Sequence, residues 1–194
     1  MKIIASFIAL AVLGLISTSQ AAPQTYKIDA THSSLIFKVK HFFSNVTGKL
    51  PDVEGTLIID PDKPEAAQLD AKVAIKSIDT ANAKRDTHLK DADFFNATKF
   101  PEATFKSKSI KMIDKDSAEV LGDMTIHGVT KEVPLQVKFL GKGKGMTGEI
   151  TGWEAKTKIN RRDFGLIWAK MVEGVAAVGD EVEIEISVEA NLQP

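Results

Sequence analysis

Cysteine is absent from the 194 residues, which excludes a disulfide framework and leaves stability to packing and hydrogen bonds. Charge of one sign is also lacking. Lys and Arg total 25 against 26 Asp and Glu, a formal net charge of −1. That balance gives no general attraction to nucleic acid or to an anionic membrane. Arginine is scarce, with Arg85, Arg161 and Arg162 the only ones. After residue 21 no run is apolar enough to cross a bilayer, a task that takes about 20 residues.

What stands at the start of the chain is a different composition. Met1–Lys2 supplies one positive charge, Ile3 to Ile16 is uncharged, and Ser19 and Ala21 are small. This is the order of a secretory signal peptide. The apolar run is 14 residues, short for a membrane span, so an uncleaved anchor is the weaker reading. No cysteine follows it to carry a lipid. Cleavage after Ala21 leaves 194 − 21 = 173 residues and a charge of −2 once Lys2 is gone. A chain of that length suits one domain, residues 22–194.

The remainder alternates. Leu35, Phe37, Val39 and His41 interleave with Ser34, Ile36, Lys38 and Lys40; Val53, Gly55, Leu57 and Ile59 with Glu54, Thr56, Ile58 and Asp60; and Leu69, Ala71, Val73 and Ile75 with Asp70, Lys72, Ala74 and Lys76. Val182, Ile184, Ile186 and Val188 set against Glu181, Glu183, Glu185 and Glu189 form the cleanest case. A period of two puts one set on each face of a strand. Noisier segments cover 102–112, 118–127, 133–140 and 147–160. Asp60-Pro61-Asp62-Lys63-Pro64 reads as a turn. His127-Gly128 reads as a hairpin connection. Gly141-Lys142-Gly143-Lys144-Gly145 reads as a flexible loop, without the Gly-Lys-Ser/Thr of a phosphate-binding loop. One segment is helical. Arg85, His88, Leu89 and Ala92 fall on one face between Ala81 and Phe95, with Thr80 or Asn82 as cap. About eight short antiparallel strands and one helix predict an all-β fold, sandwich or closed barrel.

Catalytic constellations are missing. His32, His41, His88 and His127 show no metal-ligand spacing, so no metal is expected. There is no Gly-x-Ser-x-Gly elbow, and Asp163-Phe164-Gly165 lacks every other kinase element. The sequons at Asn45 and Asn96 are frequent chance matches. The arginines can meet an anionic head group through their forked donors. Alternatively, Arg85 pairs with Asp86 or Asp93 and only holds its helix. Phe42-Phe43 and Phe94-Phe95 are ordinary core residues, or the lining of a cavity in a barrel of about eight strands.

Longer stretches resemble a family. Asn82 to Phe95, Phe100 to Phe105, Gly122 to Lys131, Tyr26 to Asp29, Asn160 to Gly165 and Val178 to Val182 are similar, in order, to the YceI-like family. Pro23-Gln24-Thr25 before Tyr26 departs from relatives that open directly on Ala-x-Tyr-Lys-Ile-Asp. The resemblance implies a single lipocalin-like, extended antiparallel β-barrel, periplasmic or secreted. It implies a lumen that encloses a polyisoprenoid or fatty-acyl chain, and no catalytic residues or cofactors.

The resulting expectation is an exported carrier, storage or sequestering protein, monomer or homodimer. Phe37, Val39, His41, Phe42, Leu89, Phe94, Phe95, Phe164 and Trp168 are the candidates for an apolar lumen. Arg85, His88, Arg161 and Arg162 are the candidates for a head-group site. The alternatives are an envelope-stress interaction protein with a filled barrel, and an enzyme acting on a bound lipid or quinone with His88 as its acid–base group.

Overall fold

The structure is a computed structural model that describes residues 22–194 except 147, 170, 173 and 174. The expected signal peptide therefore lies outside the described residues.

Among the described residues, twelve strands alternate with a single α-helix and three 3-10 turns. They are β1 (Gln24–Ile28), β2 (Ser34–His41), β3 (Ser44–Leu50), β4 (Val53–Ile59), β5 (Gln68–Ala74), then α1 (Ala83–Lys90). After the helix come β6 (Glu102–Met112), β7 (Ser117–Ile126), β8 (Val129–Lys144), β9 (Glu149–Asn160), β10 (Met171–Val172), β11 (Val175–Ala176) and β12 (Val178–Leu192). Neighbours are antiparallel, in the order β1-β4-β5-β6-β7-β8-β9-β12. Pairing of Tyr26 with Leu192 and of Ile28 with Ala190 joins β12 back to β1. Eight strands thus form a closed barrel, and closure removes the open edges that would otherwise invite aggregation. The barrel is the outcome that composition and periodicity had left open against a sandwich.

β12 makes closure possible because it is long. One edge pairs with β9 from Glu181 to Asn191. The other is shared, with β2 along Val178–Ser187 and with β1 along Ala190–Leu192. At the switch, Glu189 would leave a backbone N–H and C=O unpaired. The Asp29 N–H donates to Glu189 O (2.9 Å) and Glu189 N–H donates to Ser33 Oγ (3.1 Å). Both backbone groups are satisfied. The β2–β3 hairpin continues outward from this seam.

Two sequence expectations are adjusted. Gly141 to Lys144 is not a loop but the end of β8, paired with Gly152 to Glu149 on β9. The helix is shorter than Ala81 to Phe95 suggests. Asn82 caps it, its Oδ1 accepting from Arg85 N–H, and it stops at Lys90. Phe94 and Phe95 belong to the turn that follows. The His127-Gly128 hairpin is present, with both residues at positive φ, the geometry that a two-residue connection requires.

Candidate functional site

The barrel has two unlike ends. At one end lie the turns β4–β5, β6–β7 and β8–β9 together with the start of β1 and the end of β12. At the other lie the β7–β8 hairpin, the α1 connection and the segment after β9.

The first end opens into a cavity of about 470 Å³, within the roughly 300–1,000 Å³ typical of small-molecule pockets. Its walls are apolar side chains from the inward positions of every barrel strand. Ile28, Val53, Val73, Phe105, Val120, Met124 and Leu135 form the deep part, with Ile184 from β12. Leu57, Leu69, Ile110, Val137, Phe139, Trp153 and Ile186 line the upper part. Space is kept by small residues. Ala71, Ala103 and Ala155 line the cavity where a larger side chain would fill it. Gly122 lets the Phe105 ring lie flat on the wall, since a Cβ there would sit 2.4 Å from that ring.

Polar groups gather only at the mouth. Tyr26 Oη donates to Glu149 Oε1 (2.7 Å), and Gln24 Oε1 lies 3.0 Å from the same hydroxyl. Lys142 Nζ lies 3.3 Å from Glu149 Oε2. A strap of Lys142, Glu149 and Tyr26 therefore joins β8, β9 and β1 beside the opening. Burial, then the Glu149 carboxylate, pushes the Tyr26 phenol up to about 12. The hydrogen bond from Tyr26, with the Lys142 charge behind it, holds the Glu149 carboxyl below its usual range. Beside the strap, where Thr151 is the partner of Lys142, Trp153 Nε1–H donates to Thr151 Oγ1 (3.0 Å). No buried side-chain nitrogen or oxygen of the described residues lacks a partner. The cavity wall thus presents carbon and asks for no polar ligand atoms in its depth.

The second end is packed shut. Phe94 and Trp168 stack with centroids 5.7 Å apart, His88 stands edge-on to Trp168 at 5.1 Å, and Phe95 lies beside Phe94 at 5.9 Å. Phe164 is fully buried and Leu89 nearly so, both within the core cluster. Arg161 is buried beneath them, and its guanidinium is saturated. Nε donates to Gly179 O (2.8 Å), Nη1 to Leu166 O and to Trp168 O, and Nη2 to Val178 O and to Asp180 Oδ1 (3.0 Å). These contacts use all five donors of the fork to tie the segment after β9 to the start of β12. Burial pushes the Arg161 pKa down and the Asp180 charge pushes it up.

The sequence candidates fall almost wholly at this closed end. Leu89, Phe94, Phe95, Phe164 and Trp168 form the plug. Phe37 lies with its ring against Gly48. Val39, His41 and Phe42 run along the β2–β3 extension, half-buried, with Phe42 edge-on to His41. None of these nine is among the residues lining the cavity. The polar four are placed as follows. Arg85 donates to the Thr80 hydroxyl (2.7 Å) and to Thr80 O (2.8 Å), not to Asp86 or Asp93. His88 Nε2 lies 3.0 Å from Asp93 Oδ2. Arg162 Nε donates to the same Asp180 oxygen as Arg161 (2.7 Å). Arg161 is internal. The structure brings His88 to the aromatic plug and joins Arg161 to Arg162 through Asp180, but it keeps all four away from the open mouth.

The residues that do line the cavity were visible as alternation. Val53, Leu57, Leu69, Val73, Ile184 and Ile186 are the apolar sets of β4, β5 and β12. What was missing was the end of the barrel that stays open, because that depends on where Ala71 and Ala103, on the paired strands β5 and β6, and Ala155 on β9 fall along the lumen wall.

Against this geometry, the comparisons with known proteins agree. The chain is 38% identical over 179 residues to the protein YceI of Shigella flexneri, covering 90% of this chain and 91% of that one. A solved YCEI protein of Campylobacter jejuni superposes with a TM-score of 0.69 at 35% identity, over 80% of this chain and 90% of that one. A polyisoprenoid binding domain from Saccharophagus degradans, implicated in plant cell wall breakdown, shares the fold at TM-score 0.65 and 15% identity, over 87% and 98% of the two chains. The YceI-like domain family matches residues 26–190, and the chain belongs to that family.

Proposed function

We propose that this protein is a non-catalytic carrier or storage protein that encloses one long apolar chain, polyisoprenoid or fatty-acyl, in its barrel. The cavity carries the reading. It is preformed, walled by hydrocarbon, and open at one end only. Each methylene moved from water into it contributes about 0.8 kcal/mol, so a long tail binds tightly without polar contacts. The polar end of the ligand lies at the mouth, beside Lys142, Glu149 and Tyr26, rather than among Arg85, His88, Arg161 and Arg162. The class of ligand is supported by the sequence likeness to YceI proteins and by the name of the distant Saccharophagus neighbour. Export to the periplasm follows from the N-terminal pattern of Lys2, Ile3–Ile16 and Ala21.

Native mass spectrometry of the protein purified from its own cell envelope tests this. A co-purified apolar mass, released unchanged, is the expected result. A barrel without ligand that also takes up neither a polyprenyl nor a fatty-acyl probe after delipidation contradicts it. A released product chemically altered from the added probe contradicts the non-catalytic part.

A further inference from the structure

The open end of the barrel is not level. β6 pairs with β5 only as far as Lys106 and runs on to Met112. β8 pairs with β7 only as far as Lys138 and runs on to Lys144, paired with β9 alone. The β6–β7 and β8–β9 hairpins therefore project past their neighbours. They adjoin one another, since Phe139 N–H donates to Asp116 O (2.7 Å). Met112 and Lys115 of the first hairpin and Phe139 and Lys142 of the second line the cavity. Together the two hairpins form one lip of its mouth.

This lip carries apolar side chains into the solvent. Ile113 and Leu140 are more than half exposed, and Met146 is fully exposed. Met112 belongs to the cavity wall and is exposed as well, so the apolar wall of the lumen reaches the surface there. Exposed apolar side chains beside a ligand opening mark a surface that meets another apolar body. Lys111 and Lys115 flank the first tip, and Lys142 and Lys144 precede the second. A lysine stem can lie along apolar surface while its ammonium stays among polar groups. The β4–β5 turn, at the same end, is different. Asp60, Asp62 and Glu65 stand there against Lys63, and it has none of the exposed large apolar residues.

We infer that this lip docks on a phospholipid bilayer, with Ile113 and Met146 inserted at the margin of the acyl chains and the mouth of the cavity against the interface. The inference rests on the reading of the cavity as a site for one long apolar chain. Such a chain dissolves in a bilayer and is expelled by water. A protein seated on the lip would cover the mouth, whereas a bilayer supplies what passes through it. Lys111, Lys115, Lys142 and Lys144 are nearly balanced by Asp114, Asp116 and Glu149. Attachment therefore comes from insertion and not from charge. The acidic β4–β5 turn stays in the water, so the barrel docks tilted.

Cosedimentation of the delipidated protein with vesicles of phosphatidylcholine containing one quarter phosphatidylglycerol tests it. Wild type binds, and still binds at about 0.5 M salt, which screens surface charge. Ile113→Glu with Met146→Glu lowers the partition coefficient at least about tenfold. Ile167→Glu, at an equally exposed apolar residue of the closed end, leaves it unchanged. The chain has no cysteine, so Met146→Cys accepts an environment-sensitive dye, whose emission shifts to the blue on vesicles. The same dye on Ile167→Cys does not shift. A fatty-acyl probe added from solution separates this inference from the reading beneath it. The double variant binds that probe as wild type does, but takes it from vesicles at least about tenfold more slowly. Wild type that binds the probe and ignores vesicles, vesicle binding lost at high salt, or a double variant that binds vesicles as well as wild type overturns the docking. Wild type that takes no probe from solution overturns the carrier reading instead, and that result is read before any vesicle is added.

Discussion

The two ends of this barrel are built from the same alternating strands yet do opposite things. The closed end uses bulk and saturation. Phe94, Phe164 and Trp168 fill the space, and Arg161 occupies every donor it has on neighbouring carbonyls and Asp180. The open end uses restraint, with alanines at positions 71, 103 and 155 and polar groups kept to the rim. The difference shows that aromatic content alone does not tell the two ends apart, since Phe105, Phe139 and Trp153 line the cavity while Phe94, Phe164 and Trp168 fill the plug. The cavity is marked by small residues on its walls, Ala71 and Ala103 on the paired strands β5 and β6 and Ala155 on β9.

That contrast can be broken from the closed side. Phe164→Ala should cost about 3–5 kcal/mol, as expected for a large side chain removed from a packed core. Denaturant unfolding measures it. Arg161→Lys should also cost several kcal/mol, because an ammonium has three donors for the carbonyls that a fork of five now satisfies, and each buried orphan costs about 1–3 kcal/mol. A neutral outcome at either position would make the plug dispensable.

On the open side the same kind of truncation should matter less. Ile110 lines the cavity and already faces empty space. Ile110→Ala should therefore cost about 2 kcal/mol or less, at the low end for aliphatic truncations. A cost equal to that at Phe164 would mean that the lumen is filled and tightly packed.

The rim is read by its phenol. Tyr26 is the only tyrosine, so the ultraviolet tyrosinate band reports it alone. Its midpoint should fall at about 12 instead of the ordinary value of about 10. The folded pKa is raised, so the native state holds the proton more tightly. That contribution to stability is complete below about pH 10 and fades as pH rises toward the folded value. Glu149→Gln should move the midpoint part of the way back, since burial is the larger cause. A midpoint at the ordinary value would mean that the strap is open to water.

The smallest effect belongs to the wall between the ends. His32 Nδ1 sits 2.9 Å from Asp29 Oδ2 on the exposed β1–β2 loop. The hydrogen bond raises the His32 pKa and lowers that of Asp29. The Asp29 contribution is present above its unfolded value near pH 4 and is lost as pH falls through the folded one. The His32 contribution is present below about pH 6.5 and is lost as pH rises through its folded value. The pair therefore acts fully only between those limits. His32→Ala should flatten the stability profile there with little change in midpoint temperature, because solvent screens the pair.

Much of the fold was legible because period-two alternation is a local signal. Val182 to Val188 was readable as a strand, and β4 and β5 were readable almost to their ends. β3 was not, since Asn45-Val46-Thr47-Gly48-Lys49 carries one strong apolar residue and packs by pairing rather than by face. The extent of β8 was also hidden, because Gly141 and Gly143 resemble a loop until β9 pairs with them. The site was less legible than the fold. Arginines and aromatics drew attention to the α1 connection and to the segment after Arg162, where chemistry is dense in sequence. In three dimensions that density is spent on closing the barrel. The lumen depends on where small side chains fall along the walls of eight strands, and pairing register is not written within any one strand.

A titration on paired variants bears most directly on the central claim. A polyprenyl or fatty-acyl probe is added to wild type, to Ala155→Phe in the cavity wall and to Trp168→Ala in the plug. The account predicts saturable binding to wild type, at least about a tenfold loss with Ala155→Phe, and affinity within about threefold of wild type with Trp168→Ala. Binding that survives Ala155→Phe but collapses with Trp168→Ala would put the ligand at the other end and contradict the account.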